Sequence, residues 1–142
     1  MDQRRISEFA KGTLAGLLAD AYADAPELVE RFGAEWAEFD AFVYAHLPVM
    51  DRCGFVSVED GRPIGFISWD PRNLPVSVEI GHNCIIRAHQ GRGKGREQLL
   101  LGIDRMRRLN PERILVKTGA GDFFFPARKM YEAAGFRPVR TI

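Results

Sequence analysis

The sequence predicts an α/β fold: a mixed, twisted β-sheet with helices on both faces. Three observations carry this. Two stretches in the first third repeat apolar residues at helical spacing, the middle of the chain switches to short β-rich runs, and the remainder alternates strand, helix, strand, helix. Strand, helix and strand over residues 76 to 117 imply a right-handed crossover between parallel strands. The hairpin before them is antiparallel, so the sheet is mixed. A length of 142 residues suits a single domain over 1–142 with one core.

The elements follow in order. Residues 13 to 23, TLAGLLADAYA, carry Leu14, Leu17, Leu18 and Tyr22 on one helical face, with Thr13 as the expected N-cap. Residues 26 to 46 continue the helical period through Leu28, Phe32, Trp36, Phe39 and Val43. Pro26 suits the first position, Gly33 softens the helix and Pro48 stops it. The only candidate for a strand ahead of these helices is RISEF, 5 to 9.

CGFVSVED and PIGFISWD are β-rich, and Asp60-Gly61 between them signals a hairpin. After a loop at PRNLP, residues 76 to 86, VSVEIGHNCII, form a longer strand. Gly81 within it marks a bulge or a close backbone approach. Residues 96 to 109 form a helix that buries Leu99, Leu100, Ile103 and Met106. RILVK, 113 to 117, is a short buried strand. Residues 125 to 136 form a helix with Ala127, Met130, Tyr131 and Ala134 on one face and Gly135 at its C′ position. RPVRTI is a short last strand.

Composition excludes several classes. Twenty Lys and Arg against nineteen Asp and Glu leave a net charge of +1, which argues against a dedicated nucleic-acid binder. No apolar run approaches the roughly 20 residues a membrane helix needs. The start, MDQRRISEFAKG, lacks the apolar core of a signal peptide, so a cytoplasmic location without a membrane partner is expected. Cys53 and Cys84 sit in strand-like apolar contexts and read as buried free thiols rather than a disulfide or a nucleophile. His46, His82 and His89 show no ligand spacing, so no metal site is expected.

Between the strand ending near Ile86 and the helix beginning near Arg96 lies Gln90-Gly91-Arg92-Gly93-Lys94-Gly95. A helix N-terminus offers unpaired N–H groups and a positive dipole end, and glycines let the backbone approach closely. Arg92, Lys94 and Arg96 add positive charge. A pyrophosphate is the expected guest. The Walker pattern fails because no Ser or Thr follows Lys94, and the dinucleotide pattern fails because residue 96 is Arg.

The pattern present is Gln-x-x-Gly-x-Gly at 90, 93 and 95. It resembles the acetyl-CoA pyrophosphate loop of the GNAT superfamily of N-acetyltransferases. A second match lies in ARKMYEAAGF, 127 to 136, which is similar to the family's late helix with Ala-x-x-x-Tyr-Glu-x-x-Gly-Phe. The resemblance covers residues 53 to 140 and implies a GNAT-type sheet with splayed central parallel strands.

It also implies roles. Backbone groups of Asn83, Cys84, Ile85 and Ile86 would pair with the pantetheine arm of acetyl-CoA, with a main-chain N–H near Ile85 polarising the thioester carbonyl. Gln90, Gly91, Arg92, Gly93, Lys94, Gly95 and Arg96 would hold the pyrophosphate. Tyr131 would protonate the departing thiolate, with a half-buried packing tyrosine as its alternative, and Glu79 would take a proton from the attacking amine, with a solvated or structural carboxylate as its alternative. His82 is a second candidate base, with a hydrogen-bonded core histidine as its alternative. The triple Phe123 to Phe125 is either core or the lining of a pocket. The stripe of Phe32, Trp36 and Phe39 reads as helix packing, with contact of Trp36 or Tyr44 to the acceptor as the alternative that the resemblance implies. Asp51 and Glu59 read as solvated carboxylates and carry no functional claim.

Three departures from the family pattern stand out. Arg87 and Phe124 occupy positions where the family often has Pro and Asn. The sequence runs only six residues past Phe136, so the last strand is expected to be short or missing. The resulting open edge is one a second subunit would cover, as a homodimer. The expected activity is acetyl transfer to a small-molecule or peptide amine in a ternary complex. The alternatives are a non-catalytic acyl-CoA sensor and nucleic-acid binding through RGKGR, which would show steep salt dependence.

Overall fold

The computed structural model describes residues 1–119 and 121–139. In chain order come β1 (Asp2–Arg4), α1 (Thr13–Ala21), α2 (Pro26–Ala45), the single turn α3 (Leu47–Met50), β2 (Gly54–Glu59), β3 (Arg62–Asp70), β4 (Ser77–Ile85), α4 (Lys94–Arg107), β5 (Arg113–Val116) and α5 (Phe125–Ala133). Short 3-10 turns occupy Ile6–Glu8, Arg87–His89 and Asp122–Phe124. The five strands line up in sequence order. All neighbours are antiparallel except β4 and β5, which are parallel and joined through α4. The architecture is the mixed α/β sheet with helices on both faces that the sequence predicts.

Each face of the sheet buries a core. On one, α1 and α2 set Leu14, Leu18, Trp36 and Val43 against Val56, Phe66 and Cys84. On the other, α4 and α5 set Leu99, Ile103, Met106 and Tyr131 against Phe55, Ile67, Val78 and Ile80. The hairpin turn forms at Asp60 and Gly61, both at positive φ (51° and 76°), as the Asp-Gly pair requires.

Gly81 is the extra residue of a β-bulge: Ser68 pairs with His82 but Trp69 pairs with Ile80. One inserted residue inverts the alternation of faces. Before it, Val78 and Ile80 point to the α4 and α5 side. After it, Cys84 packs on the α1 and α2 side, and His82 lies against Phe39 of α2.

Several expectations change. RISEF is not a strand: β1 lies upstream, with Arg4 opposite Val56, and Ile6–Glu8 is a 3-10 turn. The Glu8 carboxylate accepts from the Arg5 N–H at 2.8 Å and locks that turn while Ile6 is fully buried. Thr13 does not cap α1. Gly12 holds the N-cap, and Asp40 of α2 accepts from the N–H groups of Gly12 (2.8 Å) and Ala15 (3.1 Å). Leu100 is exposed, and the inward face of α4 takes Gln98 instead. The strand β5 is half-exposed rather than buried, because Leu115 lies on a stretch of sheet surface open to a cavity. Residues 137–139 carry no strand, and the remainder of the expected last strand, 140–142, lies outside the described residues.

Candidate functional site

Parallel pairing of β4 with β5 ends at Ile80 opposite Val116, while β4 continues to Ile85. Beyond that rung the two strands part. A cavity of about 110 Å³ fills the gap, walled by Gly81, His82 and Asn83 on one side and Lys117, Thr118 and Gly119 on the other. Tyr131 of α5 closes it from one face of the sheet, and Leu18 and Tyr22 from the other. Ile80 is the point of divergence because the bulge at Gly81 twists β4 away from its neighbour.

At the far end of β4 the chain enters the glycine segment. Gly91 and Gly93 sit at φ of 76° and 77°, a region that strains residues with a Cβ. Gly93 is the N-cap of α4, so the N–H groups of Lys94, Gly95 and Arg96 belong to a first turn without intrahelical acceptors. Arg92 and Arg96 are exposed beside them. Lys94 is different: its ammonium lies 2.8 Å from Glu59 Oε1, so its charge is already paired. The Gln90 side chain is also occupied, since Nε2 donates to the carbonyls of Ile85 (2.8 Å) and Ala21 (3.2 Å). The Gln90 backbone N–H is taken too, by the carbonyl of Arg87 at 3.2 Å, so Gln90 braces the loop and the N–H groups that follow it face a ligand.

Arg87 makes a contact that a proline at its position could not. Its N–H donates to Asp20 Oδ1 at 2.9 Å, and its guanidinium pairs with Asp24 at 3.0 Å. The strand exit is thus tied to α1 by hydrogen bonds in place of ring rigidity.

Tyr131 is 8% exposed, with its ring edge-on to Phe136. Burial raises its phenol above the ordinary value, and the Asn83 side chain partly offsets this by hydrogen bonding. The hydroxyl therefore keeps its proton at neutral pH. Asn83 is oriented by Gln98, whose Nε2 donates to Asn83 Oδ1 (2.7 Å), Phe66 O (2.9 Å) and Cys84 O (3.1 Å). Gln98 Oε1 accepts from Ser57 Oγ at 2.7 Å. Gln98 is fully buried, and this chain of contacts runs from β2 to the cleft.

The two candidate bases differ in setting. Burial pushes His82 down to about 4, so its imidazole is neutral at neutral pH. Its ring contacts Phe39 at 4.5 Å, and it lines the same cavity as Tyr131. Glu79 lies outside that cavity. It borders an open hollow of about 420 Å³ with Asp70, Arg72, Asn73, Ser77 and Leu115, and Lys117 Nζ approaches it to 3.7 Å. Cys84 contributes no nucleophile: its thiol is buried and pushed up to about 12. Both cysteines are free.

The phenylalanine triple divides. Phe124 lines the cavity, Phe123 stacks near Tyr22 at 5.4 Å, and Phe125 is exposed. Tyr22 also contacts Trp36 at 5.1 Å, so aromatic rings bridge the α1 end of the cleft to the start of α5. Asp40 and Gln98 escaped the sequence reading, and Glu59, expected to be solvated, is instead partly buried and paired with Lys94. Each acts on residues far along the chain, and none carries a local signature beyond a polar residue at an inward or turn-flanking position. Among the described residues, no group of His, Cys, Asp and Glu is arranged to hold a metal ion, and no helix is long and apolar enough to cross a membrane.

A splayed parallel pair above a glycine-opened helix N-terminus defines an acetyltransferase fold of GNAT type. The chain belongs to the acetyltransferase (GNAT) family, whose model matches residues 18–136. No curated protein sequence matches it significantly. Among solved structures it is similar to PH1933 from Pyrococcus horikoshii OT3 (20% identity, 99% of this chain and 91% of that one, TM-score 0.72). It is also similar to aminoglycoside N-acetyltransferase AAC(6')-Iy, solved in complex with CoA (15% identity, 99% and 90%, TM-score 0.70). A GNAT family acetyltransferase from Brucella melitensis, solved with acetyl-CoA, shares 18% identity over 96% and 81% of the chains, with a TM-score of 0.66. At these identities the likeness is one of fold.

Proposed function

We propose that this chain transfers the acetyl group of acetyl-CoA to an amine by direct attack in a ternary complex. The observation that carries the reading is the gap between β4 and β5, with Tyr131 lining it and the glycine-opened N-terminus of α4 beyond it. Similar folds solved with CoA and with acetyl-CoA support the donor. The free edge of β4 from Asn83 to Ile86 would pair with the pantetheine arm, and the backbone from Gly91 to Arg96 would hold the pyrophosphate.

In the chemical step the amine nitrogen attacks the thioester carbonyl carbon. The new C–N bond forms, and negative charge collects on the oxygen near the Ile85 N–H. The C–S bond then breaks, the thiolate takes the Tyr131 proton, and solvent returns one to the phenolate. The nitrogen sheds its extra proton to a base. His82 fits that role by lying in the cleft, unprotonated; Glu79 fits it only through water, from the neighbouring hollow.

The acceptor is read as a cationic amine. The α1 and α2 side carries Glu27, Glu30, Glu35 and Glu38 against Arg31 alone between residues 25 and 39, while Asp20 and Asp24 hold Arg87. The glycine loop at the N-terminus of α4 carries the exposed Arg92 and Arg96. This division suits an anionic donor and a cationic acceptor approaching from opposite sides. The likeness to an aminoglycoside acetyltransferase accords with it.

A non-catalytic acyl-CoA sensor is the second reading, favoured by the low basicity of His82 and the distance of Glu79 from the cleft cavity. A panel of amines assayed for release of the CoA thiol decides between them. Turnover with one class of amine supports the transferase. Acetyl-CoA binding without turnover on any amine supports the sensor, and no binding in calorimetry removes both.

A further inference from the structure

One carboxylate bonds Lys94 within the glycine segment and lies against His89, the residue before it. Glu59 is the last residue of β2, and its side chain reaches across to the entry of α4. Its Oε1 lies 2.8 Å from Nζ of Lys94, the first residue of α4. Its Oε2 lies 3.1 Å from Nδ1 of His89, the last residue of the 3-10 turn that leads into the loop. The His89 arm is the weaker, because it lies off the line of a straight hydrogen bond. Only Gln90 to Gly93 lie between these anchors, and the Gln90 side chain is itself tied to β4 and α1.

We infer that Glu59 is a positioning residue for the phosphate end of the donor, setting the glycine loop in its ligand-ready shape before CoA arrives. This rests on the donor site proposed above. A loop rich in glycine has many conformations, and fixing each residue costs conformational entropy. Anchors already in place shift part of that cost from binding to folding, which raises affinity without a new ligand contact. A carboxylate beside an anion site would ordinarily repel it. Here Lys94 neutralises the charge, and Arg92 and Arg96 remain exposed for the phosphates. The pair is half-buried, at 24% and 27% side-chain exposure, so salt does not fully screen it.

The test is Glu59→Gln, with Glu59→Asp as a second variant too short to reach both anchors. In the ligand-free protein, amide hydrogen exchange should quicken at residues 90–96 and stay unchanged in β3 and α5. The Kd for CoA and the KM for acetyl-CoA should each rise about tenfold, with kcat at saturation within about twofold. Turnover of acetyl-pantetheine, which lacks the pyrophosphate, should not change. A merely structural lesion would slow both donors equally, and that result overturns the inference. So does tighter CoA binding by Glu59→Gln, which would mean that Lys94 is a direct phosphate ligand that Glu59 holds back. Failure of the unaltered protein to bind CoA would instead remove the donor site itself. The exchange measurement separates the two, since it reports on the clamp without a ligand.

Discussion

Gln98 donates to Asn83 Oδ1 at 2.7 Å, and through this contact a fully buried amide on α4 orients the side chain that faces Tyr131. The same amide holds Ser57 of β2 and the carbonyls of Phe66 and Cys84. Replacing it with an apolar side chain of similar volume leaves several buried polar groups unpaired. Gln98→Met should therefore destabilise the fold by about 2–3 kcal/mol in urea denaturation. A change below about 0.5 kcal/mol would mean that the network carries no stability.

Tyr131→Phe keeps the ring in its core and removes only the hydroxyl. If Tyr131 is the acid, kcat should drop by about 10²–10⁴ with acetyl-CoA affinity unchanged in calorimetry. Because burial raises the phenol, the alkaline limb of kcat should lie above pH 10, the ordinary tyrosine value. Full activity in the variant would remove the acid role.

His82 gives the fold an acid-sensitive element. Its folded value is about 4 against an ordinary 6.5. Between those two values the unfolded chain binds a proton that the native protein does not, so unfolding is favoured as pH falls. Stability is full above pH 6.5, declines toward pH 4 and then levels, a loss of about 3 kcal/mol from this group. His82→Gln should flatten that part of the profile. An identical fall in stability from pH 7 to pH 4.5 in both proteins would show that His82 is not the source.

Asp40→Ala removes the remote cap of α1 and should cost about 2 kcal/mol of stability. The donor segment meets α1 at its C-terminal end, through Leu18, Asp20 and Ala21, away from the Asp40 cap, so CoA affinity should remain within about twofold at temperatures where the variant is folded. A large loss of affinity at full folding would tie the cap to the site.

The elements that the sequence made legible are those with local causes. Asp60-Gly61 specifies its turn through two adjacent residues that tolerate positive φ, and Gly81 announces its bulge within a β-rich run. The glycine segment was legible for the same reason: the means of opening a helix and exposing N–H groups lie within Gln90 to Arg96. The strand at Asp2–Arg4 was not legible, because all three of its residues are exposed and show no alternation. Leu100 was misread because helical period locates a stripe, while the sheet beneath decides which edge of the stripe is covered.

Sequence by itself determined the succession of helices and strands from α1 to α5, the resemblance to the family, and the glycine segment that opens α4. Local periodicity and a motif confined to a few positions suffice for each of these. Only the tertiary structure decided how those parts are held. The Asp40 cap spans 28 positions, the Glu59 to Lys94 pair 35, and the Ser57 to Gln98 bond 41. Such contacts depend on strand register, on the parity change at Gly81 and on which face each helix covers. A polar side chain shows no preference among distant partners until the fold excludes water around it.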